Sequence, residues 1–423
     1  MKETYNKLRG FFSKLGPGFI TGCADDDPTA IATYTQAGAQ FGYNQLWTTF
    51  FAIPFMIVVQ EMAGRIGMVT GKGLAGVIRK HYSKPILYVT VFLLVFTNII
   101  SIGANLGAMA ASAQLILPFP FVFWLLFITC TTILLEVFVS YKIYARYLKY
   151  LGFSLLAYVG VAFVVKQDWN MIFYSMLFPV ISFDKSYVLS LIAIMGTNIS
   201  PYLFFWQSDE EVEEEVDHHL IRSMGRGIPK ITKSQLFDLR LDTTVGMIFS
   251  NVMIFFLCIA AASTLGVHGI TDIETPAEAA QALVPIVGPF ASYLFAFGIL
   301  GSGFMALPIL AGSASYAISE MLGWKEGLSK TFTQARGFYG VIAFATLFGL
   351  CINFTSIQPF RLLIYSAAMN GVLAPILLIL ILHIGNNKTI LGSYVNGPWS
   401  NILGWIVIIV MGSASLLLFS YLF

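Results

Sequence analysis

The feature that most constrains this chain is a series of apolar segments, each about as long as a bilayer is thick. About 20 apolar residues are needed for one helical crossing, so 423 residues allow about ten crossings joined by short loops. The pattern predicts eleven transmembrane helices in one all-α membrane domain. They are expected near Gly18–Gly38, Leu46–Met68, Ile86–Leu115, Phe121–Tyr141, Tyr150–Val165, Tyr187–Gln207, Leu241–Leu265, Ile286–Leu322, Phe338–Phe354, Leu362–His383 and Ile402–Phe423.

Composition and charge then exclude whole classes of protein. Charged residues make up 11% of the chain, against about 25% in an ordinary soluble domain, which excludes a soluble enzyme. The net charge of +2 gives no reason to expect a nucleic-acid partner, and no obligate protein partner is evident. The expected surroundings are the lipid bilayer of the cell membrane.

The basic residues predict the orientation, because cytoplasmic loops retain Lys and Arg. With the N-terminus inside, 21 of the 24 basic residues fall on cytoplasmic segments. The exceptions are Lys166, Lys185 and Arg361. An odd number of spans then places the C-terminus outside the cell.

Acidic residues interrupt the first predicted span. Asp25, Asp26 and Asp27 are followed by Pro28, and burying even one carboxylate in a bilayer costs about 2.5–3.5 kcal/mol on insertion scales. Proline removes a backbone donor and disfavours helix at the residue before it, which predicts a broken helix with free carbonyls. We expect Asp27 to bind a ligand, with Asp25 and Asp26 in the access path or paired with polar neighbours.

A second interruption lies in the sixth predicted span, at Gly196–Pro201, where Thr197, Asn198 and Ser200 precede the proline. A proline in a membrane helix is often no more than a kink. Two interrupted helices five spans apart are, however, typical of transporters built from inverted repeats, whose substrate binds where both helices unwind.

These motifs together resemble the NRAMP family of divalent metal transporters, over nearly the whole chain. The matching segments are Gly16-Pro-Gly-Phe, Asp27-Pro28-Thr29-Ala30, Gln60-Glu-Met-Ala-Gly-Arg65-Ile-Gly-Met-Val-Thr-Gly71, and Asp242 with Asn251. The resemblance implies a LeuT-type fold with two inverted repeats of five helices and an extra helix. The repeats would cover about 16–165 and 187–383, and the extra helix about 402–423, within a single transporter domain, 1–423.

Departures from the family pattern affect the metal ligands. In typical members an Asp and an Asn of the first motif, a backbone carbonyl and a Met of the sixth helix hold the metal. Here Asp27 is kept, Thr197 stands at the carbonyl position, Ala30 replaces the Asn and Ser200 replaces the Met. Oxygen ligands suit hard cations, so the chain resembles the NRAMP-related magnesium transporter branch, with Mn²⁺ also accepted. The ion would be cargo, and no cofactor is expected.

The resemblance also bears on energy coupling. Asn105 stands where typical relatives carry a Glu, and Tyr202 stands where they carry a His. An amide does not titrate, and an unperturbed tyrosine titrates only near about pH 10. We therefore expect transport without proton coupling, although Asp25 or Asp26 could carry protons instead.

Other polar residues are open to more than one interpretation. The acidic run Asp209–Asp217 is typical of a solvated surface, and the alternative is an acidic vestibule that concentrates cations. Thr29 and Asn370 are secondary candidates near the site, while Glu136 and Asn370 more simply bond between helices. Two other functions stay open: a proton-coupled Mn²⁺ or Fe²⁺ symporter, and an amino-acid carrier, which three acids would disfavour. An intramembrane enzyme lacks a positioned nucleophile and base.

Overall fold

A computed structural model describes residues 16–139 and 156–421, and the regular structure of these residues is helical. We number the α-helices in chain order. They are α1 Pro17–Asp25, α2 Pro28–Phe41, α3 Trp47–Thr70, α4 Leu74–His81, α5 Lys84–Ala113, α6 Phe121–Phe138, α7 Leu156–Val164, α8 Trp169–Leu177, α9 Lys185–Asn198, α10 Pro201–Asp217, α11 Lys233–Thr264, α12 Pro276–Ala280, α13 Val284–Val287, α14 Ala291–Leu322, α15 Arg336–Ile352, α16 Pro359–Gly385, α17 Lys388–Leu391 and α18 Pro398–Ser420.

Eight helical segments of the described residues are long and apolar enough to cross a bilayer. They are Trp47–Thr70, Lys84–Ala113, Phe121–Phe138, Lys185–Asp217, Lys233–His268, Pro276–Leu322, Pro359–Gly385 and Pro398–Ser420. The three remaining predicted spans correspond to the broken pair α1 and α2, to α7 and to α15. The count of eleven crossings therefore stays a prediction.

Parts of the sequence prediction lie outside the described residues. These parts are the basic segments Lys2–Lys14 and Lys142–Lys149, the start of the span predicted at Tyr150–Val165, and the last residues of the final span. The orientation that depends on those basic residues stays a prediction.

The predicted break in the first span is confirmed. Helix α1 ends at Asp25, and α2 begins at Pro28, with Asp27 as its N-cap residue. Proline is favoured in the first turn of a helix, where its missing N–H would have no partner anyway, and Asp is a favoured N-cap. The sequence Asp-Pro therefore ends one helix and starts the next within three residues.

The break in the sixth span is confirmed in the same way. Helix α9 ends at Asn198, and α10 begins at Pro201 after the N-cap Ser200. Helix α10 then continues ten residues beyond the predicted end at Gln207, to Asp217.

The acidic run is thus part of α10, and its interpretation as a solvated surface is wrong. Four of its carboxylates are buried, namely Asp209, Glu211, Glu213 and Glu215. Local polarity suggested exposure, but α3, α14 and α1 pack around α10 and cover these side chains. Such burial depends on the helices that pack around α10, so the local amino-acid sequence does not predict it.

Glycines let the broken helices pack closely against their neighbours. Helices α1 and α2 pack on α11, and a Cβ on Gly22 would lie 2.3 Å from the carbonyl of Gly246. Helix α9 packs on α16, where a Cβ on Gly196 would lie 2.0 Å from the carbonyl of Ala367. Small residues at such crossings allow backbones to approach closely in membrane proteins. The two breaks are therefore held in place by tight helix pairs.

Candidate metal site at the two helix breaks

The Asp27 carboxylate lies at the first break and is 3% exposed. Its Oδ1 accepts a hydrogen bond of 2.8 Å from the Ala30 N–H, which caps α2. Its Oδ2 lies 3.3 Å from the Asn105 Nδ2. A carboxylate oxygen has two lone pairs, so each oxygen keeps acceptor capacity for a cation.

A chain of polar side chains extends from Asp27 into the bundle. Asn105 Nδ2 lies 3.4 Å from the Thr29 hydroxyl and donates to the Ser101 carbonyl at 2.8 Å. The Ser101 hydroxyl in turn lies 3.3 Å from the Asn370 Nδ2. The amide oxygens of Asn105 and Asn370 are buried without a hydrogen-bond partner among the described residues. These oxygens are available to a ligand or to water.

Asp25 and Asp26 share one hydroxyl on α11. The Ser250 Oγ lies 2.9 Å from Asp25 Oδ2 and 3.0 Å from Asp26 Oδ1. A hydroxyl has one proton, so it donates to one of these carboxylates at a time. Asp25 and Asp26 therefore lie within hydrogen-bond distance of the same polar neighbour.

The second break carries neutral side chains whose hydroxyls bond to backbone carbonyls of α9. The Thr197 hydroxyl donates to the Ile194 carbonyl at 2.8 Å, and the Ser200 hydroxyl lies 2.7 Å from the Gly196 carbonyl. Asn198 differs, because its Oδ1 accepts a hydrogen bond of 2.9 Å from the Tyr34 hydroxyl of α2. That bond joins the two broken helices.

The predicted site residues therefore fall into groups. Asn105 lies within hydrogen-bond distance of both Asp27 and Thr29. Ser101 connects Asn105 with Asn370, and Asn198 meets α2 at Tyr34. Thr197 and Ser200 point their hydroxyls at backbone carbonyls, and Ala30 contributes an N–H to Asp27. All of these residues are buried.

The site residues are buried in this conformation. A cavity beside Asp26, bordered by Ala30 and Tyr158, measures about 10 Å³. A water molecule needs at least about 10–15 Å³ of such volume, so the cavity is at the limit for one water. Helices must move before a hydrated ion can enter.

A carboxylate outside the breaks holds the first broken helix in place. Asp242 on α11 accepts hydrogen bonds from the backbone N–H groups of Gly16, Gly18 and Phe19, at 2.9, 2.7 and 3.1 Å. A carboxylate at a helix N-terminus satisfies free N–H groups and complements the helix dipole. Asp242 therefore ties the start of α1 to α11.

The motif at Gln60–Gly71 contributes an ion pair. Glu61 Oε1 accepts hydrogen bonds of 3.0 Å from both Arg65 Nε and Arg240 Nε. Arg65 is buried and also binds the Tyr394 carbonyl and the Asn396 side chain. This ion pair connects α3 with α11 and with the segment that precedes α18.

Comparison with known families decides the classification. The model of the Nramp family, described as natural resistance-associated macrophage protein-like, matches residues 18–420. The chain belongs to the Nramp family. This Nramp chain is 25% identical over 415 residues to the divalent metal cation transporter MntH of Caldanaerobacter subterraneus, covering 95% of this chain and 91% of the relative.

Solved structures show the same fold. The crystal structure of the Eremococcus coleocola manganese transporter, bound to an aromatic bis-isothiourea substituted compound, matches with a TM-score of 0.73 and 17% identity, over 95% of this chain and 85% of that chain. Mhp1, a nucleobase-cation-symport-1 family transporter, matches with a TM-score of 0.59 and 12% identity, over 96% and 92%. The predicted fold class, an all-α multi-pass membrane protein of the LeuT type with two broken helices, is confirmed for this Nramp chain.

The sequence interpretation missed three side chains that complete the Nramp chain's polar network. Ser250 binds Asp25 and Asp26, Ser101 connects Asn105 with Asn370, and Tyr34 binds Asn198. Each is a polar residue inside an apolar helix, which is a weak signal. Serine and tyrosine are common enough in membrane helices that position along the chain does not single out these three.

Proposed function

We propose that this chain transports divalent metal cations across the cell membrane, Mg²⁺ foremost and Mn²⁺ as well, by alternating access and without coupling to protons. The observation that carries the proposal is the Asp27 carboxylate, buried at a helix break and bonded to neutral donors. A buried charge of this kind is costly unless a ligand uses it. The printed functions of the relatives, divalent metal cation transport and manganese transport, support the same class of cargo.

The donor set supports a hard cation. We assign Asp27 as the charged ligand, and the Thr197 carbonyl, Ser200 hydroxyl and Asn198 side chain as neutral partners. Ala30 marks the position at which the typical amide ligand is absent, so water would fill that place. Mg²⁺ usually keeps several waters and binds through one or two carboxylates, which fits one acid with neutral oxygens.

The remaining polar residues take secondary roles in this proposal. Asn370 and Thr29 extend the polar surface on which a partly hydrated ion can rest. Asp25 and Asp26 face Ser250 and are assigned to the access path. Two repeats, about 16–165 and 187–383, would move against each other around the breaks, with the N-terminus cytoplasmic and the C-terminus outside.

The absence of proton coupling is supported by two neutral residues near the carboxylates. Asn105 contacts Asp27 and is an amide, which cannot carry a proton at neutral pH. Tyr202 is buried one residue after Pro201. The driving force would then be the ion gradient with the membrane potential, which is worth about 2.3 kcal/mol per charge at 100 mV.

Proteoliposomes test the function and the coupling together. We expect Mg²⁺ and Mn²⁺ to enter vesicles that contain the protein, as reported by a cation-sensitive dye, while an enclosed pH dye stays constant. Vesicles without protein measure how much of each ion leaks through the lipid alone. Metal-dependent acidification that is lost in Asp25→Asn or Asp26→Asn would instead identify a proton-coupled symporter and assign the proton to that acid.

A further inference from the structure

The acidic run of α10 divides between two opposite faces of the helix. Residues spaced three, four and seven positions apart share one face of a helix, so Glu211, Glu214, Glu215 and His218 lie together. Asp209 and Glu213 lie on the opposite face. The two groups therefore meet different surroundings.

The face with Asp209 and Glu213 is used in packing. The Glu213 Oε1 accepts hydrogen bonds from the Tyr316 hydroxyl and the Leu328 N–H, each 2.5 Å long. Its Oε2 accepts a third bond, of 3.2 Å, from the Ser329 N–H. Glu213 thus fixes the segment after α14 and has a structural role.

The face with Glu211 and Glu215 borders a cavity of about 210 Å³ between α10, α11 and the start of α1. We call it the acidic cavity. Five carboxylates and one imidazole line it, and no Lys or Arg of the described residues does. The lining acids are Glu211, Glu214, Glu215, Asp238 and Asp242.

The burial of the Glu215 carboxylate indicates that the acidic cavity binds a ligand. Its side chain lines the acidic cavity although the residue is 4% exposed. Neither of its carboxylate oxygens has a hydrogen-bond partner among the described residues. A buried charge without a partner is costly, so a cation in the cavity would offset that cost.

The spacing of the acids indicates how the cation is held. Within residues 16–139 and 156–421, no three His, Cys, Asp or Glu side chains converge closely enough to coordinate one metal directly. The carboxylates surround the space instead: Glu214 Oε2 and Asp242 Oδ2 each lie 3.5 Å from the point that a Cβ on Gly16 would occupy. At about 30 Å³ per water, the acidic cavity holds about seven waters, enough for an ion with its first hydration shell.

We infer that the acidic cavity binds a hydrated divalent cation through its water shell, separately from the site at the helix breaks. Mg²⁺ gives up its waters reluctantly, so outer-sphere binding suits it. The choice of ion rests on the proposed function, whereas the site rests on the carboxylates themselves. One half-helix, α1, separates the cavity from the first break, which is about 14 Å at 1.5 Å per residue.

Binding to the purified full-length protein tests this inference. The probes are Mn²⁺, counted per chain from the free ion at equilibrium, and hexaamminecobalt(III), an inert mimic of hydrated Mg²⁺ that cannot bind directly. We expect two Mn²⁺ per chain, of which the cobalt complex displaces one. Glu211→Gln combined with Glu215→Gln should remove that ion or weaken its binding about tenfold or more.

Matched variants separate this site from the proposed transport site. Glu136→Gln is the control, because Glu136 on α6 is also buried and neither of its carboxylate oxygens has a hydrogen-bond partner in the part of the chain that the structure describes. Glu136 does not line the acidic cavity. It should keep both ions. Asp27→Asn should lose the other ion and keep the one that the cobalt complex displaces, even if proteoliposomes show no transport.

Two results would overturn the inference. One is a wild-type protein from which the cobalt complex displaces no Mn²⁺, a measurement that needs no variant and does not depend on folding of a mutant. The other is an unchanged number of displaceable ions in Glu215→Gln alone, whose shape matches that of the native residue.

Discussion

The two helix breaks of this chain have the same backbone geometry, but one carries acidic side chains and the other carries neutral ones. In both, a helix ends three residues before a proline that starts the next helix. The first break holds three buried carboxylates, and the second holds a threonine, an asparagine and a serine. The carboxylates of the first break contact side chains on other helices, whereas the hydroxyls of the second bond to backbone carbonyls of α9.

The difference shows that two broken helices can contribute different kinds of group to one binding site. A proline break alone supplies free backbone groups, and the side chains around it decide whether the site carries charge. Under the proposed function, the first break supplies the attraction for a cation, and the second supplies neutral oxygens that tune which cation is accepted. The two broken helices are joined by the Tyr34–Asn198 hydrogen bond.

The largest effect is expected from removing the charge of the first break. Asp27→Asn should reduce Mg²⁺ and Mn²⁺ uptake about 100-fold or more, since losing one partner of a buried charge interaction costs about 2–5 kcal/mol. Asn caps helices as well as Asp does, so α2 should still form. Uptake of both ions into dye-loaded proteoliposomes is the measurement.

Asp168→Asn is the matched control for this change. Asp168 also caps a helix, because its Oδ1 accepts a 3.1 Å hydrogen bond from the Met171 N–H. Unlike Asp27, it is exposed. It should transport as the wild type does. Wild-type uptake by Asp27→Asn would remove the first break from the proposed ligand set.

A soft ligand in the second break should change selectivity. Ser200→Met introduces a thioether, which favours soft ions, so the preference for Cd²⁺ over Mg²⁺ should rise about tenfold. Competition between the two ions in proteoliposomes measures the preference. Ser200→Ala removes the hydroxyl without adding sulfur, so it should weaken uptake of both ions but shift the preference toward Cd²⁺ less than Ser200→Met does. An equal shift in both variants would show that the thioether is not the cause.

The stability of the protein should depend on the Ser250 hydroxyl that Asp25 and Asp26 share. Ser250→Ala removes the hydroxyl between the two carboxylates, and hydrogen bonds to charged groups contribute about 1.5–3 kcal/mol, so thermal stability should fall. The control is Ser263→Ala on the same helix, whose hydroxyl binds carbonyls of α11 and the Gln167 amide but no carboxylate. Equal melting temperatures for the two variants would contradict a special role for Ser250.

The smallest effect on stability is expected from removing the Tyr34–Asn198 hydrogen bond, which joins the two broken helices. Tyr34→Phe removes one neutral hydrogen bond, worth about 0.5–1.5 kcal/mol, and leaves Asn198 Oδ1 without its main donor. Tyr158→Phe is the control, because the Tyr158 hydroxyl is buried with no hydrogen-bond partner among the described residues. Thermal unfolding should therefore separate the two variants. A Tyr158→Phe protein that is less stable than Tyr34→Phe would show that the joining bond contributes little.

Much of the fold follows from local signals in the chain. Long apolar runs predict the helices, and Asp27-Pro28 and Ser200-Pro201 predict both breaks, because proline restricts the backbone wherever it stands. The ends of helices are less well predicted. Helix α10 continues through the acidic run to Asp217, since neighbouring helices supply the environment that the polar residues themselves do not indicate.

The sequence predicted the charged residue of the candidate site. It did not predict which side chains on other helices form hydrogen bonds with the site residues. Asp27 is marked by an acid beside a proline in an apolar segment, which few structural roles explain. Ser250 and Tyr34 lie more than 200 and 160 positions from the groups they bind, so their pairing depends on the packing of α11 on α1 and of α2 on α9. No local pattern encodes such pairs.

The amino-acid sequence by itself determined that this chain enters a membrane, where its helices break and which break carries charge. These properties depend on hydrophobicity, proline geometry and the position of acids, all of which act within a few residues. The packing of distant helices brings Asp25 and Asp26 together at Ser250, lets Asp242 hold the start of α1, and buries Glu215 with no hydrogen-bond partner among the described residues. Those outcomes depend on which helices touch, because a side chain's burial and its hydrogen-bond partners are supplied by distant parts of the chain.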